Sequence, residues 1–232
     1  MPEFAVILPA AGRSTRFGGS ASKLLQPLNG RPVLAWTLAA FAQREDVAQV
    51  VVATPDPDAA RDCAKFLDDR AAKKLHLCPG GFCRADSVRI AAMASHSSIG
   101  WLAVHDAARP LVSQALIDRT FQAALLHGAA AAALPVHLTI KQATGPLPAP
   151  VRQTLPRHEL WAMQTPQVMP RQDLLDAFSA CKVPLDQITD DIQLLELMGK
   201  PVWLVDGEER NLKITTPTDL QIAHALIAAT PT

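Results

Sequence analysis

Short runs of apolar residues, uninterrupted by polar ones, recur along the chain and alternate with stretches of helical periodicity. Each run is too short to form a long helix, and several are rich in β-branched residues, which favour strands. Because the runs lack the apolar–polar alternation of a half-exposed strand, they are typical of strands buried on both faces of a largely parallel sheet. The predicted strands cover residues 5–8, 50–53, 101–104, 131–136 and 202–205.

Residues that favour helix ends bracket the stretches between these strands. Proline suits the first position of a helix, serine and threonine cap its amino end, and glycine ends it. Apolar side chains three or four residues apart give each predicted helix one buried face. The predicted boundaries are Pro32 at the start of the first helix, Ser113 and Gly128 around the second, Gly199 after the third and Thr216 before the last.

The alternation of strands and helices predicts an α/β fold. In such a fold a mostly parallel, twisted sheet has helices on both faces, and right-handed crossovers join its strands. Ligands bind at the carboxyl ends of the strands. We therefore expect the chemistry of this chain in the loops that follow Leu8, Ala53, Leu77 and Val104.

One segment departs from this rhythm. Residues 139–157 hold Pro146, Pro148, Pro150 and Pro156 and few large apolar side chains, a composition that opposes both a helix and a central strand. The pattern predicts a single domain over residues 1–232, from which an extended arm at about residues 137–160 protrudes. A mobile surface loop is the alternative that composition leaves open.

Composition narrows the class of protein. The chain has 232 residues, of which 49% are apolar and 19% charged, and this argues against intrinsic disorder. Its 22 basic and 22 acidic residues cancel, whereas a dedicated nucleic-acid-binding protein normally has a basic excess. The sequence also lacks the run of about 18 apolar residues that a membrane span needs. We expect neither a nucleic-acid partner nor a membrane partner.

The cysteines show no sign of a metal site. No C-x-x-C pair or paired Cys/His spacing occurs, and the short apolar amino end lacks the basic leader of a signal peptide. Reduced thiols in a cytoplasmic protein are the favoured interpretation, with a disulfide between Cys78 and Cys83 as the alternative. The cysteines are Cys63, Cys78, Cys83 and Cys181.

Small, glycine-rich and cationic residues follow the first predicted strand. In the segment from Pro9 to Gly19, glycines and alanines would let backbone N–H groups approach a phosphate. Arg16 and Lys23 would add positive charge suited to a triphosphate. The spacing matches neither a P-loop nor a G-x-G-x-x-G fingerprint, so an ordinary loop is the alternative to a phosphate-binding one.

A pair of glycines, Gly80 and Gly81, precedes another predicted helix. The glycines allow close approach of the backbone, and either Asp86 or Ser87 is a candidate cap of the helix that follows. The functional hypothesis is a base-recognition loop, in which backbone amides and Ser87 meet the edge of a nucleobase. A plain turn with a helix cap is the alternative.

Two further segments carry charged side chains into the predicted site. Asp106 follows the strand at residues 101–104, where a carboxylate would hold a hydrated Mg²⁺ or a substrate hydroxyl, and Arg109 would face a phosphate. Lys213 lies in an alternating apolar stretch that could direct it into the same site. A surface ion pair and a solvated lysine are the respective alternatives.

Taken in order, these four segments resemble those of the 2-C-methyl-D-erythritol 4-phosphate cytidylyltransferase family of the non-mevalonate isoprenoid pathway. The resemblance covers nearly the whole chain and rests on PAAGRSTRF with Lys23, GGFCRADSV, VHDAARP, a TPQ turn at 165–167, ITDD at 188–191 and NLKIT. It implies a Rossmann-like nucleotidyltransferase fold whose protruding arm interlocks two subunits of a homodimer. It also implies that CTP and methylerythritol phosphate react, with Mg²⁺ or another divalent cation, to give the cytidine-diphospho product and pyrophosphate.

The resemblance assigns roles to individual residues of this chain. The implied catalytic residues are Arg16, Lys23 and Lys213. The implied nucleotide-binding residues are Ala10, Ala11, Gly12, Gly81, Ser87 and Asp106, of which Asp106 also holds the metal, directly or through water. The implied substrate-binding residues are Arg109, Thr139, Arg157, Thr165, Thr189 and Lys213, with Thr139 and Arg157 supplied by the arm of the second subunit. The chain departs from the family pattern at Phe82, Cys83, Leu138 and Val168.

Three other functions remain open at this stage. A cytidylyltransferase acting on ribitol 5-phosphate or another sugar phosphate would use the same CTP loops and differ in the acceptor residues. A sugar transferase would usually need a D-x-D motif, which the segment VHDAARP does not contain. A non-catalytic nucleotide-binding protein would bind CTP without releasing pyrophosphate.

Overall fold

The computed structural model describes residues 3–12, 17 and 22–229. The predicted phosphate-binding residue Arg16 therefore lies outside the described residues. The strands are β1 (Phe4–Pro9), β2 (Pro27–Leu28), β3 (Arg31–Pro32), β4 (Val47–Ala53), β5 (Leu75–Cys78), β6 (Trp101–Val104), β7 (Ala130–Pro135), β8 (Ile140–Ala143), β9 (Val151–Leu155), β10 (Trp161–Pro170) and β11 (Trp203–Asp206). The helices are α1 (Val33–Ala42), α2 (Pro57–Ala64), α3 (Asp69–Ala72), α4 (Arg84–Ala94), α5 (Gln114–His127), α6 (Arg171–Ala180), α7 (Ile192–Leu197) and α8 (Pro217–Ala228).

Seven strands of the described part of the chain form one sheet, in the order β11-β7-β10-β6-β1-β4-β5. β1 pairs in parallel with β4 and β6, β4 with β5, and β7 with β11. β10 runs antiparallel between β6 and β7. The predicted α/β fold with a mostly parallel sheet is therefore confirmed.

The central strand β1 shows why its apolar run has no polar alternation. Phe4, Val6 and Leu8 lie in one core cluster, and Ala5 and Ile7 lie in another on the opposite face of the sheet. Helices α1 and α5 cover the first face, while α4, α6 and α7 cover the second. Both faces of β1 are buried, so each of its positions favours an apolar side chain.

The predicted helix boundaries agree closely with the structure. The Ser113 hydroxyl caps α5 by accepting from the Leu116 N–H at 3.0 Å, and Gly128 ends that helix with a positive φ of 96°. Thr216 and Asp219 form a capping box at the start of α8. Pro32 immediately precedes α1, so that helix begins one residue later than predicted.

Strand β10 is the longest of the strands that the apolar pattern did not reveal. Polar residues and a proline lie in its middle, and its ladder with β7 shifts register between Met163 and Gln167. The segment at residues 165–167, which the family motif suggested as a turn, lies inside this strand. The interruption places Thr165 beneath the loop that follows β6, where it contacts Asp106.

The predicted arm is an antiparallel hairpin of β8 and β9, separate from the central sheet. Its side chains are largely exposed; Leu138 is 76% exposed and Leu147 is 86% exposed. The prolines keep this segment out of the main sheet, as the composition predicted. The assignment of residues 1–232 to one domain stays a prediction.

The four cysteines are free thiols, so the alternative of a disulfide between Cys78 and Cys83 is not seen. Burial raises the pKa of Cys63 to about 11 and also raises the pKa of Cys78. None of the helices formed by the described residues combines the length and apolar character of a membrane span.

Candidate active site

A cleft of about 420 Å³ opens at the carboxyl end of the central sheet. The loops that follow β1, β5 and β6 all contribute to it, as expected, whereas the loop after β4 does not. The described residues that line the cleft are Pro9, Ala10, Ala11, Gly12, Lys23, Leu24, Gly81, Phe82, Cys83, Arg84, Ser87, Asp106, Ala107, Ala108, Lys213 and Thr215. The structure thus brings together eight of the predicted site residues.

The loop after β1 and the loop before α4 touch each other at Gly80. A Cβ placed on Gly80 would lie 2.1 Å from the Cβ of Ala11, so only glycine fits at this contact. The Ala10 N–H donates to the Ala53 carbonyl at 2.8 Å, which ties the β1 loop to the neighbouring strand. Lys23 begins a short helical turn, Lys23–Leu25, that lines the same cleft.

The loop before α4 is held by side chains of the helix itself. The Gly81 N–H donates to Ser87 Oγ at 3.0 Å, and this hydroxyl donates to the Cys83 carbonyl at 2.9 Å. The Phe82 N–H donates to Asp86 Oδ2 at 3.2 Å. The cap itself is Cys83, whose Sγ accepts from the Asp86 N–H, so the prediction of Asp86 or Ser87 as cap is wrong.

Ion pairs converge on the Asp106 carboxylate at the floor of the cleft. Among the described residues, Oδ1 pairs with Arg84 Nε at 3.1 Å, and Oδ2 pairs with Lys213 Nζ at 3.0 Å and Arg109 Nε at 3.3 Å. Burial alone would raise the pKa of Asp106, but the positive charges of these neighbours outweigh burial and hold the pKa well below its usual range. Asp106 is therefore an anion at neutral pH.

Arg84 joins Asp106 to a second, fully buried carboxylate. Its Nη2 donates to Asp191 Oδ2 at 2.8 Å, and Asp191 is 0% exposed. Burial would lower the pKa of Arg84, but the charges of Asp191 and Asp106 raise it. For Asp191 the cost of burial outweighs the attraction of Arg84, so its pKa is raised. Asp191 Oδ1 has no hydrogen-bond partner among the described residues.

A buried histidine lies directly behind Asp106. His105 Nε2 is 3.1 Å from the Arg109 carbonyl, and Nδ1 is 3.1 Å from the hydroxyl of Thr165. That hydroxyl also accepts from the Asp106 N–H at 3.0 Å. Burial lowers the pKa of His105 to about 4, against the opposing effects of the Arg109 carbonyl and the Asp106 charge. The imidazole is therefore neutral at neutral pH.

The remaining predicted substrate-binding residues do not line the cleft of their own chain. Arg109 is buried, and its Nη1 donates to the Asn211 carbonyl at 2.7 Å. Thr165 is also buried, and its hydroxyl contacts His105 Nδ1 and the Asp106 N–H. Thr189 is exposed and donates to Gln193 Oε1 at 3.1 Å. Thr139 and Arg157 are exposed on the arm.

The sequence did not predict a role for Arg84, His105 or Asp191, although each lies inside one of the motifs that carry the family resemblance. Arg84 begins the helix that follows the glycine pair, and it lines the same cleft as Gly81. No local signal marks Asp191. Its importance depends on a contact with Arg84 that only the folded chain creates.

The side chains able to ligate a metal near Asp106 determine how a divalent cation would be held. No group of three His, Cys, Asp or Glu side chains able to form a metal site occurs in the part of the chain that the structure describes. Mg²⁺ usually takes one or two carboxylates and completes its shell with substrate phosphates and water. Asp106 fits the role of a single carboxylate ligand beside a bound triphosphate.

Comparisons with known proteins point to one family. The model of the 2-C-methyl-D-erythritol 4-phosphate cytidylyltransferase family matches residues 4–229. The protein of that name from Gloeobacter violaceus is 42% identical over 224 residues, covering 96% of this chain and 95% of its own length.

Solved structures of two proteins of the same name share this fold. The structure from Thermus thermophilus is 35% identical with a TM-score of 0.78, and covers 98% of this chain and 100% of its own. The structure from Francisella tularensis is 30% identical with a TM-score of 0.81, and covers 96% and 99%. The protein therefore belongs to the 2-C-methyl-D-erythritol 4-phosphate cytidylyltransferase family, as its motifs predicted.

Proposed function

We propose that this protein transfers the cytidylyl group of CTP to 2-C-methyl-D-erythritol 4-phosphate, giving 4-diphosphocytidyl-2-C-methyl-D-erythritol and pyrophosphate. The observation that carries the proposal is the cluster of Arg84, Arg109 and Lys213 on Asp106, at the floor of a cleft edged by two small-residue loops. The cleft combines backbone groups suited to a nucleotide with the positive charge that two phosphorylated substrates require.

The reaction is an in-line displacement at phosphorus. An oxygen of the acceptor phosphate forms a bond to the α-phosphorus of CTP, and the bond from that phosphorus to the oxygen bridging the β-phosphate breaks. The acceptor phosphate is already an anion at neutral pH, so no side chain has to remove a proton. The barrier comes from bringing two anions together and from the charge that develops on the leaving pyrophosphate.

The cationic side chains address that barrier directly. Arg16 and Lys23 follow the loop after β1 and would stabilise the charge of the triphosphate and the leaving pyrophosphate. Lys213 is partly exposed to the cleft while it pairs with Asp106, so its ammonium could contact an incoming phosphate. Arg109, Thr165 and Thr189 do not line the cleft of the ligand-free chain, and their contacts with the acceptor would form only when it binds.

The loop at Gly81 suits a cytosine ring. Ser87 Oγ accepts one hydrogen bond from the Gly81 N–H and donates one to the Cys83 carbonyl. A hydroxyl has two acceptor sites, so one remains for a donor on the ligand. The exocyclic amine of cytosine is such a donor, whereas uracil has a carbonyl there. Together with the backbone of Ala10, Ala11 and Gly12, this loop would favour CTP over UTP.

A divalent cation would be held by Asp106, directly or through water, together with phosphate oxygens of the nucleotide. When bound, Mg²⁺ would neutralise negative charge on the phosphates. Its neighbours keep Asp106 ionised, and a cation would share its oxygens with Arg84, Arg109 and Lys213. Its carboxylate and the side chain of Lys213 already lie at the cleft, ready to receive the nucleotide.

We also propose that two copies of the chain assemble through the arm. The hairpin of β8 and β9 exposes large apolar side chains, including Leu138 and Leu147, which a partner would cover. Thr139 and Arg157 lie on this arm, so in such a homodimer they would reach the cleft of the other subunit and complete the acceptor site.

Pyrophosphate release tests the proposed function. The purified protein is assayed with Mg²⁺, and CTP, UTP, ATP and GTP are each paired with methylerythritol phosphate and with ribitol 5-phosphate. Release is expected with CTP and methylerythritol phosphate alone. Release with ribitol 5-phosphate instead would reassign the acceptor, and CTP binding without any release would indicate a non-catalytic nucleotide-binding protein.

A further inference from the structure

His105 closes a ring of hydrogen bonds around the backbone of Asp106. The Asp106 N–H donates to Thr165 Oγ at 3.0 Å, and this hydroxyl contacts His105 Nδ1 at 3.1 Å. His105 Nε2 contacts the Arg109 carbonyl at 3.1 Å. The Arg109 N–H donates back to the Asp106 carbonyl at 2.9 Å, which completes the ring.

The direction of each hydrogen bond in the ring follows from the groups that take part. A carbonyl oxygen can only accept, so Nε2 of His105 must carry the proton that meets Arg109. The Thr165 hydroxyl, 3.1 Å from Nδ1, already accepts from the Asp106 N–H, so its own proton is left for Nδ1. Nδ1 is therefore unprotonated, and Thr165 donates to it while accepting from Asp106.

We propose that His105, as its Nε2–H tautomer, is a positioning residue that aims the Asp106 carboxylate into the cleft through Thr165 and the Arg109 carbonyl. The ring fixes both the amide and the carbonyl of Asp106. The surroundings of the ring are rigid as well. His105 is 0% exposed, and its backbone N–H donates to the Ile7 carbonyl of β1 at 2.9 Å. In the ligand-free site, the hydroxyl proton of Thr165 is committed to His105, so a contact of Thr165 with a substrate would use the hydroxyl as an acceptor.

The tautomer is measured first, on the unmodified protein without substrate. Nitrogen chemical shifts of isotopically labelled histidine distinguish a protonated from an unprotonated ring nitrogen, and the spectrum of His105→Asn assigns the His105 signals. The expected result is a protonated Nε2 and an unprotonated Nδ1. A protonated Nδ1 would overturn the proposal whatever the reaction is.

Kinetics then test the positioning role, and this part rests on the proposed cytidylyl transfer. Thr165→Val breaks the ring and is expected to lower kcat by about 10- to 100-fold, the scale of a small misplacement of reacting groups, with little change in the KM for the acceptor, whereas loss of a direct acceptor contact would raise that KM. Thr165→Ser keeps the hydroxyl and is expected to lose less. Turnover of Thr165→Val equal to that of Thr165→Ser would contradict the proposal.

Two controls separate positioning from loss of folded protein. Titration with CTP counts intact sites, and the expected result is an unchanged stoichiometry in Thr165→Val. His76→Asn is the matched control for His105→Asn, because His76 is exposed on β5 away from the cleft, and it is expected to turn over as the unmodified protein does. If His105→Asn fails to fold, its spectrum cannot assign the His105 signals, and the Thr165 pair then decides the proposal.

Discussion

At the scale of single residues, Arg84 joins two carboxylates that are far apart in the sequence. Burying Asp191 with one oxygen unpartnered by any described residue costs free energy, and such groups are rarely retained for stability alone. Asp191 holds one end of the Arg84 guanidinium, and the other end is then directed at Asp106. The planar guanidinium suits this task because it donates in two directions at once.

Replacing Arg84 with lysine is therefore expected to impair the site. A single ammonium cannot donate to Asp106 and Asp191 in the same geometry, so we expect Arg84→Lys to lower kcat/KM by about 10-fold or more. Steady-state kinetics measure the effect, and chemical denaturation checks the fold. Arg61→Lys is the matched control, since Arg61 forms an exposed ion pair with Asp58 on α2. Unimpaired kinetics in Arg84→Lys would exclude a functional role for the bridge.

The candidate site shows which residue contacts a sequence can predict. Lys23, Gly81 and Asp106 were predicted because each follows a strand or a glycine pair, and the carboxyl ends of strands meet at one edge of the sheet. The bridge through Asp191 and the ring through His105 were not predicted. Both depend on side-chain contacts between distant segments, which no local pattern encodes.

At the scale of elements, the cleft depends on how closely two loops approach each other. The loop after β1 and the loop before α4 meet at Gly80, where a methyl group would overlap Ala11. These loops carry the backbone groups proposed to bind CTP. Their separation therefore sets the width of the nucleotide site.

Gly80→Ala is expected to raise the KM for CTP by about 10-fold or more, because the added Cβ forces the loops apart, and a shift of about 1 Å is costly in a preorganised site. Steady-state kinetics and CTP titration measure it. In Gly100→Ala the new Cβ has no atom within 4 Å, so this control is expected to behave like the unmodified protein. An unchanged KM in Gly80→Ala would contradict the assignment of these loops to the nucleotide.

The elements themselves differ in how far the sequence determines them. The starts of α5 and α8 depend on capping residues close to the helix, Ser113 and Thr216, so local chemistry predicts them. Strand β10 escaped prediction because Thr165, Pro166 and Gln167 interrupt its apolar run. That strand is stabilised by its neighbours β6 and β7 rather than by its own pattern.

At the scale of the whole molecule, the arm is the part whose role depends on a second copy. The arm contributes nothing to the lining of its own chain's cleft, although Thr139 lies just before its strand β8 and Arg157 lies just after its strand β9. If the arm completes the acceptor site of a partner, cleft and arm must act in trans. Two defective chains should then restore one another.

Mixing Lys23→Ala with Arg157→Ala tests this arrangement. Each variant alone is expected to be nearly inactive, since the first lacks a cation in the cleft and the second lacks one on the arm. A mixed dimer contains one site with an intact cleft and an intact arm, so random mixing should restore about a quarter of normal activity. Pyrophosphate release after dissociation and reassociation measures it. Activity that stays at the level of the separate variants would place the arm residues outside the partner's site.

The fate of the α-phosphate of CTP tests the central claim most directly. CTP radiolabelled at the α-phosphate is incubated with the protein, Mg²⁺ and methylerythritol phosphate, and the products are separated. The account predicts that the label moves into the cytidine-diphospho product, while label placed on the γ-phosphate leaves entirely with pyrophosphate. Recovery of the α-label only as CTP or CMP would contradict the proposed transfer.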